Sequence, residues 1–560
     1  MAGPARFYDL ADVRGRVQRY ENLKAALWLD RNTFDAHWRE LGENLSPRRT
    51  RFFAGDRNRG DKRNQNIIDS TGRFAARTLQ SGLHAGLTSP ARPWFKLTTP
   101  DPDLAKFEPV KEWLHEVTQR MLVVMLQTNL YNCLPIVYGD MGIFGTSGMA
   151  VVDDEKDLFR CYPYPIGSFA IGLSNRGVAT TFAREYQLSV RQVIQEFGLE
   201  ANGRDINWSR ISERTRRLWE NGHTEQAIDV CWIVTPNDGY DATKFESKFK
   251  RWASCHYEQG VGDDKKFLKE AGFDSFPVMA PRWDITGEDT YGTDCPGMTA
   301  LGDIKQLQIM QRRKGQAISK MIDPALVGPT ELRTQRVSLL PGDVTYQNVR
   351  EGMQGLKAIH EVGLNLQHLT GDIGEVQYRI QRAFYEDLFL MLATSDQQRG
   401  AQPITAREVE ERHEEKLIAL GPVLERTNDE LLDPLIDRVY MLMERGGMIP
   451  PPPPQLEGVR VKAEYTSIMA QAQKLVGVVG LDRFVQSVGA MAELFPDVRY
   501  KVNVFQIVDN YGDALGVDPR VIVSNEDATQ SQQAAAKAAQ AAQDAETAQR
   551  TAAALKSAAT

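Results

Sequence analysis

The 560-residue chain is poor in cysteine: it has five, at Cys133, Cys161, Cys231, Cys255 and Cys295. They are scattered and contain no C-x-x-C pair. This argues against a disulfide framework or a zinc site and fits a reducing cytosol. Free cysteines buried in or near cores are the expectation. Long hydrophobic runs are also missing. MLVVML at 121–126 falls far short of the roughly 18 apolar residues a membrane span needs, so no membrane partner is expected. The opening MAGPARFYDLADVRGR lacks the apolar stretch of a secretory signal. A basic excess is lacking too: net charge is −7, which does not suggest a tight nucleic-acid binder.

Signatures of small-molecule chemistry are equally absent. GDMGIFGTSGMA (139–150) repeats glycine every third residue. A phosphate-binding P-loop needs a lysine and a hydroxyl after its last glycine, but Met149 and Ala150 follow Gly148. No two of these glycines are separated by one residue, so G-x-G-x-x-G fails. G-x-S-x-G fails around Ser147 as well. The expectation is structural: Gly142 and Gly145 allow tight turns between packed strands. His413 lacks the second histidine of H-E-x-x-H, because position 417 is leucine. His360 and His368 read as surface or interface groups. Asp153–Asp154 and Asp263–Asp264 sit in turn-like contexts that need no catalytic role. No metal site or cofactor is expected, although carboxylates that meet only in the fold escape a scan of this kind.

What is present is hydrophobic patterning. Residues to about 130 read as mainly helical. A long helix is predicted from Glu108 to Asn129, with Val110, Trp113, Leu114, Val117 and Met121 at helical spacing. Residues 131–300 read as short strands between turns. One helix, QLSVRQVIQEFG, is inserted there, with Ser189 as N-cap and Gly198 as its stop. The whole is an α+β, predominantly helical chain, and its sheet should be antiparallel. A helix is predicted over 298–322. Pro324, Pro329 and Pro341 interrupt 323–350, and long helical material returns over 351–393. TSDQQRGAQP (394–403) is a polar break. A helix over 404–445 opens on a capping box of Thr405 and Glu408, with Ile404 and Val409 as a staple, and Pro422 and Pro434 should kink it. GGMIPPPPP (446–454) reads as a stiff linker. Residues 455–527 suggest a short strand and small helices. The tail, 528–560, has fifteen alanines and no aromatic residue, so it has little to bury and is partly disordered or helical.

The order of these elements, with YGTDCPGMTALGDIKQLQIMQ (291–311), PITAREVEERHEEKLIALGPVLERTNDELLDPLIDRVYMLM (403–443), IFGTSGMAV (143–151) and LTSPARPWFKL (87–97), resembles the portal, or head-to-tail connector, proteins of short-tailed bacteriophages. The likeness covers roughly residues 20–450. It implies a subunit with wing, stem, clip and crown regions that assembles into a ring of twelve. Such a ring sits in the virion at the portal vertex of the capsid, after assembly in the host cytoplasm. Double-stranded DNA passes through it during packaging and ejection, without sequence reading. Implied partners are the terminase large subunit, head–tail adaptor or tail proteins, and the major capsid and scaffolding proteins.

Carried over by position, the wing is 1–297 with parts of 404–525, including a kinked helix at 404–445. The stem is 298–322 and 351–393, the clip 323–350, the tunnel loop 394–403, and the crown or C-terminal wing 455–527. The tunnel loop would present Gln397, Gln398 and Arg399 to DNA, although a surface loop fits the same composition. The clip would present Arg333 and Arg336 to the motor, or they are ordinary solvated arginines. Lys305, Arg312, Arg313, Lys314 and Lys320 concentrate in the first stem helix. They either pair with neighbouring subunits or make weak phosphate contacts. An acidic ring suits a duplex that must slide. The competing reading is a soluble nucleic-acid-processing enzyme with a dispersed active site.

Overall fold

The computed structural model describes residues 12–56, 60–200, 202–322, 326–327, 357–358, 366–394, 420–456, 458–466, 484–491, 502–508, 528–535, 537–538 and 540–541. The chain divides into two compact units. One comprises 1–91, 97–402 and 420–463; the other comprises 92–96, 403–419 and 464–560. In the second unit, Trp94 stacks on Tyr465 with ring planes 10° apart, and Lys96 pairs with Glu464 at 3.3 Å.

The first unit opens with helix α1 (Val13–Asn44), started by Asp12, whose carboxylate accepts the Gly15 N–H at 2.9 Å. Helix α2 (Thr71–Leu87) buries Ala75, Ala76, Leu79 and Leu83 along one face. Helix α3 (Glu108–Gln127) buries all five apolar residues that its spacing singled out. Helix α4 (Leu130–Phe144) follows at 81° to α3. This corrects the expectation of strands and turns here. Nearly every position of α4 from Cys133 onward is buried, so it has no polar face to reveal a helical period. Gly142 lies inside this helix, where an added Cβ would sit 2.4 Å from Leu79 Cδ2 of α2. Gly145 caps it in the left-handed conformation at φ 76°.

Strands β1 (Gly148–Asp154) and β2 (Leu158–Tyr164) form a hairpin. Strands β3 (Phe169–Leu173), β4 (Ala179–Ser189), β5 (Ala227–Pro236), β6 (Trp252–Glu258) and β7 (Phe267–Phe273) form a five-stranded antiparallel sheet in chain order. Strand β8 (Val278–Met279) joins the other side of β1. The antiparallel expectation holds, but β7 was not foreseen. It is an edge strand with Lys269 and Glu270 exposed in its middle, the charge that keeps such edges from pairing with other chains.

Both faces of the larger sheet are covered. On one, Val17 and Tyr20 of α1 pack with Ala183, Cys231, Ile233, Cys255 and Tyr257. On the other, Val193, Ile194 and Phe197 pack with Ile228, Val230 and Leu268. The short helix that supplies this second layer starts at Ser189, as expected. Its hydroxyl accepts the Gln192 N–H at 3.3 Å, and the Gln192 side chain accepts the Ser189 N–H at 2.9 Å. All five cysteines are buried and free.

Helix α5 (Pro296–Ile322) leaves the sheet region. The expectation of helical structure throughout 351–393 needs correction. Lys357–Ala358 (β10) pairs antiparallel with Leu326–Val327 (β9). Helix α6 (Leu366–Ala383) begins only afterwards, and α7 (Glu386–Thr394) follows a break at Tyr385, φ 55°. The segment 420–445 is helical. It widens into a π-turn at Asn428–Leu432 just before Pro434. Helix α8 (Asp433–Arg445) then packs on the β1–β2 hairpin region. Its Arg438, 1% exposed, donates from Nε to the Val151 carbonyl at 2.6 Å. Nη1 donates to the Ser275 hydroxyl at 2.9 Å and Nη2 to Asp153 at 3.1 Å. Upstream, Arg282 meets Glu430 through Nε and Nη2. The proline run is no free spacer: Trp113 Nε1 donates to the Pro450 carbonyl at 3.0 Å, and Arg120 donates to the Met448 carbonyl at 2.9 Å.

One titrating group sits within the sheet. His256 of β6 stacks on Trp232 with planes 8° apart and touches Phe197, and it pairs in register with Lys269. Burial first, then the charges of Lys269 and Arg184, push the imidazole down to about 3. The unfolded chain therefore takes up this proton first as pH falls below its ordinary value near 6.5. Stability from this group is complete above that value and is lost progressively towards pH 3. His256 keeps partial exposure, so the slope stays below the roughly 1.4 kcal/mol per pH unit of one fully unmatched proton. Thermal unfolding between pH 7 and 4 should show a shallower acid-side decline for His256→Phe, which keeps the ring stack. Identical slopes would exclude this role.

Candidate functional site

The feature with the least intrachain explanation is α5. Its root is fixed tightly. An added Cβ on Gly297 would lie 2.3 Å from the Ile143 carbonyl oxygen, and one on Gly292 would lie 2.1 Å from that of Gly145. The Gly292 N–H donates to Thr146 Oγ1 at 2.7 Å, and the Trp283 N–H donates to the Gly145 carbonyl at 2.8 Å. The glycine ladder thus lets two pieces of backbone meet where α5 begins. It receives a helix root, and its glycines serve contacts within the chain.

About three turns further on, Gln308 is almost fully buried. Its Oε1 accepts the N–H groups of Ile68 and Asp69 at 2.7 and 2.8 Å, and its Nε2 donates to the Asp69 carbonyl at 3.0 Å. The side chain satisfies three backbone groups that no regular element would pair. The Asp69 carboxylate accepts from Thr71, from Gln311 at 2.9 Å and from Gln377 of α6 at 3.1 Å. Burial opposes its charge, but these hydrogen bonds outweigh burial and hold it below the usual carboxylate range. Asp303 of α5 accepts from Nε and Nη2 of Arg379 of α6, at 3.2 and 2.9 Å. The loop before α2, α5 and α6 are thereby locked together.

Beyond Gln308 no side chain of α5 is buried. At 100° per residue, Lys305, Arg312, Arg313 and Lys320 fall on one arc of about 100°. Lys305 is exposed but is ion-paired with Glu40 of α1, so its charge is balanced within the subunit. Arg312, Arg313 and Lys320 are exposed and form no ion pair among the described residues. Lys314 is half-buried on the opposite side of the helix, about 150° from the centre of that arc. Gln397, Gln398 and Arg399 lie outside the described residues, as do Arg333, Arg336, His360, His413 and the Thr405–Glu408 capping box. His368 is exposed on α6. The acidic pairs have structural partners: Asp153 holds Arg438 and Arg445, and Asp264 accepts the Glu213 N–H at 2.6 Å. Among the described residues no cluster of histidine, cysteine and carboxylate groups could hold a metal ion.

Residues 17–523 match the family model described as bacteriophage head to tail connecting protein. The chain belongs to this family. The portal protein of Salmonella phage epsilon15 is 45% identical over 515 residues, covering 92% of this chain and 90% of that protein. The probable portal protein of Bordetella phage BPP-1 is 40% identical over 518 residues, covering 91% and 90%. A solved neck of an empty GTA particle aligns at 12% identity with a TM-score of 0.35, covering 83% of this chain and 96% of that one. The chain is a structural head-to-tail connector of the portal type, and the reading as a dispersed-site enzyme is not supported.

For this connector the root of α5 is the testable element. Gln308→Leu strands the Ile68 and Asp69 backbone groups and should cost about 1–3 kcal/mol. Faster amide exchange at 66–71 and a lower unfolding temperature would check it. Gln308→Glu, which keeps both acceptor bonds but faces the Asp69 carbonyl with a second acceptor, should also destabilise. Gly145→Ala should cost about 1–2 kcal/mol for its left-handed backbone, and Gly145→Val more. ATP should bind neither wild type nor variant. Saturable ATP binding abolished by Gly145→Val without loss of fold would overturn the structural role of the ladder.

Proposed function

We propose that the connector works as a closed ring of twelve subunits at one capsid vertex, through which double-stranded DNA is packaged and later ejected. The observation that carries this reading is the bare distal half of α5. Ile309, Ile318, Met321 and Ile322 are exposed there, on a helix whose root is rigidly held. Apolar side chains on such an unburied stretch call for neighbours, and ring closure supplies them. In this reading α5 and α6 form the stem, 323–350 the clip and 394–403 the tunnel loop, while 1–297 with parts of 404–525 forms the wing and 455–527 the crown.

Arg312, Arg313 and Lys320 then face either the adjacent subunit or the duplex. Lys305, already matched by Glu40, is the poorest phosphate contact of the four. The repeated −7 charge of the subunits keeps the channel from trapping the duplex, because sparse cations make few phosphate contacts. Arg333 and Arg336 are assigned to docking of the terminase large subunit. Adaptor or tail proteins bind outside the shell, and major capsid and scaffolding proteins surround the wing. Assembly takes place in the host cytoplasm.

The purified connector should appear by mass photometry as one large ring species; a monomer-to-dimer species under all conditions would defeat the proposal. Arg399→Glu should leave rings intact yet let packaged DNA leak, and more so than Arg399→Ala. Normal DNA retention in Arg399→Glu phage would remove the tunnel-loop assignment. Joint charge reversal at Arg333 and Arg336 should weaken terminase binding while rings persist.

A further inference from the structure

The β5–β6 hairpin carries a knob at one end and a hole at the other. The knob is Phe245, at 102% exposure the most exposed large apolar side chain of the described residues. Its loop is not loose. The Asn237 side chain donates to the carbonyls of Lys248 and Lys250 at 2.9 and 2.6 Å, and the Asp241 N–H donates to the Phe249 carbonyl at 3.0 Å. Thr243 donates to the Asp241 carboxylate through both N–H and hydroxyl. The ammonium groups of Lys244 and Lys248 lie over the Phe249 ring at 4.1 and 4.9 Å. A tip tied this firmly presents Phe245 without the ordering cost that a floppy loop would add on binding.

The hole is an open cavity of about 410 Å³ lined by Lys24, Trp28, Leu29, Asn32, Tyr257 and Gln259. Leu29 on its rim is 74% exposed. Lys24 projects over the Trp28 ring at 5.2 Å and is matched by Glu185 and by Gln259 at 3.1 Å. Glu21, the carboxylate of the lining, is paired with Lys265, and Arg31 joins Lys24 over the Trp28 ring. The charges at the rim are thus matched within the subunit, and the exposed Leu29 and Ala25 leave aliphatic surface that suits an uncharged apolar guest. Knob and hole lie beyond opposite ends of β6. Its seven residues at roughly 3.3 Å each separate them by about 20 Å. A knob and a hole at opposite ends of one rigid element cannot meet within a subunit. They are the geometry of a head-to-tail contact, which generates a ring when its rotation closes.

We infer that Phe245 of each subunit inserts into the Trp28–Leu29 cavity of the next copy of this chain. The inference rests on the ring reading above and adds an outer contact, distinct from the stem. Because the native cysteines are all buried, introduced ones can be cross-linked against a low background. The double variant Phe245→Cys, Leu29→Cys, treated with a short bis-maleimide, should give a ladder of covalent multimers in denaturing gels, and each single variant should not. Phe245→Ala should raise the concentration for half-assembly about tenfold, the loss of a modest interface anchor. Phe245→Tyr should retain assembly. Rings that form normally with Phe245→Ala, together with an absent ladder in the double variant, would overturn this contact while leaving the ring reading intact. Normal rings of Phe245→Ala that fail only to enter capsids would also overturn it, placing a shell protein on the knob. Wild-type chain that never forms rings would overturn both.

Discussion

A buried guanidinium holds the first unit together. Arg438 comes from a helix almost three hundred residues downstream of the strand it binds. Burial lowers its pKa to about 10, which still leaves it charged at neutral pH. An unmatched buried charge would cost several kcal/mol, so its site must be complete. It is: a strand carbonyl, the Ser275 hydroxyl and the Asp153 carboxylate accept its hydrogen bonds, and the Phe273 ring lies 5.2 Å away. These partners come from β1, β7 and the turn between β7 and β8. The one side chain therefore couples the hairpin region, the larger sheet and the returning helix. Lysine could not replace it, because a single ammonium cannot span three directions in a fixed plane. The Arg282–Glu430 pair fastens the same arm one π-turn earlier.

That closure explains why α5 can be anchored at one end only. Its root sits on the Gly145–Gly292 backbone contact, next to the start of β1, and the Asp69 and Gln308 hydrogen bonds hold it again about three turns on. Rigidity at the root and bareness beyond it are complementary properties. A helix held this way keeps a defined orientation at its base and leaves the rest of its surface for neighbours.

Much of this was legible in the chain itself, and the failures have physical reasons. Helix α3 showed its buried face because charged residues alternate with Val110, Trp113 and Leu114. Ser189 announced its helix through a capping pair three residues apart. Helix α4 hid because it has no solvent face, and β7 because edge strands borrow the composition of loops. Arg438 and Glu430 were invisible because their partners lie 287 and 148 residues away, where no spacing rule reaches. The cations of α5 drew attention by charge, yet charge alone did not distinguish Lys305, already paired, from Arg312. Gln308 left one usable trace: it is a polar residue in phase with Leu301 and Ile304, where the helix should have been apolar. The resemblance rested on the order of elements, and order survives even where single elements are misread.

The proline run has a consequence for how this part of the chain can change over time. Trp113 and Arg120 grip residues 448–450 through main-chain carbonyls, and every amino acid has a carbonyl. Proline removes the competing N–H and stiffens the backbone, but the grip itself does not depend on side-chain identity. Such a contact measures length. Substitutions along the run should be free to accumulate, whereas a single inserted or deleted residue would shift Pro450 off the indole and misplace everything that follows.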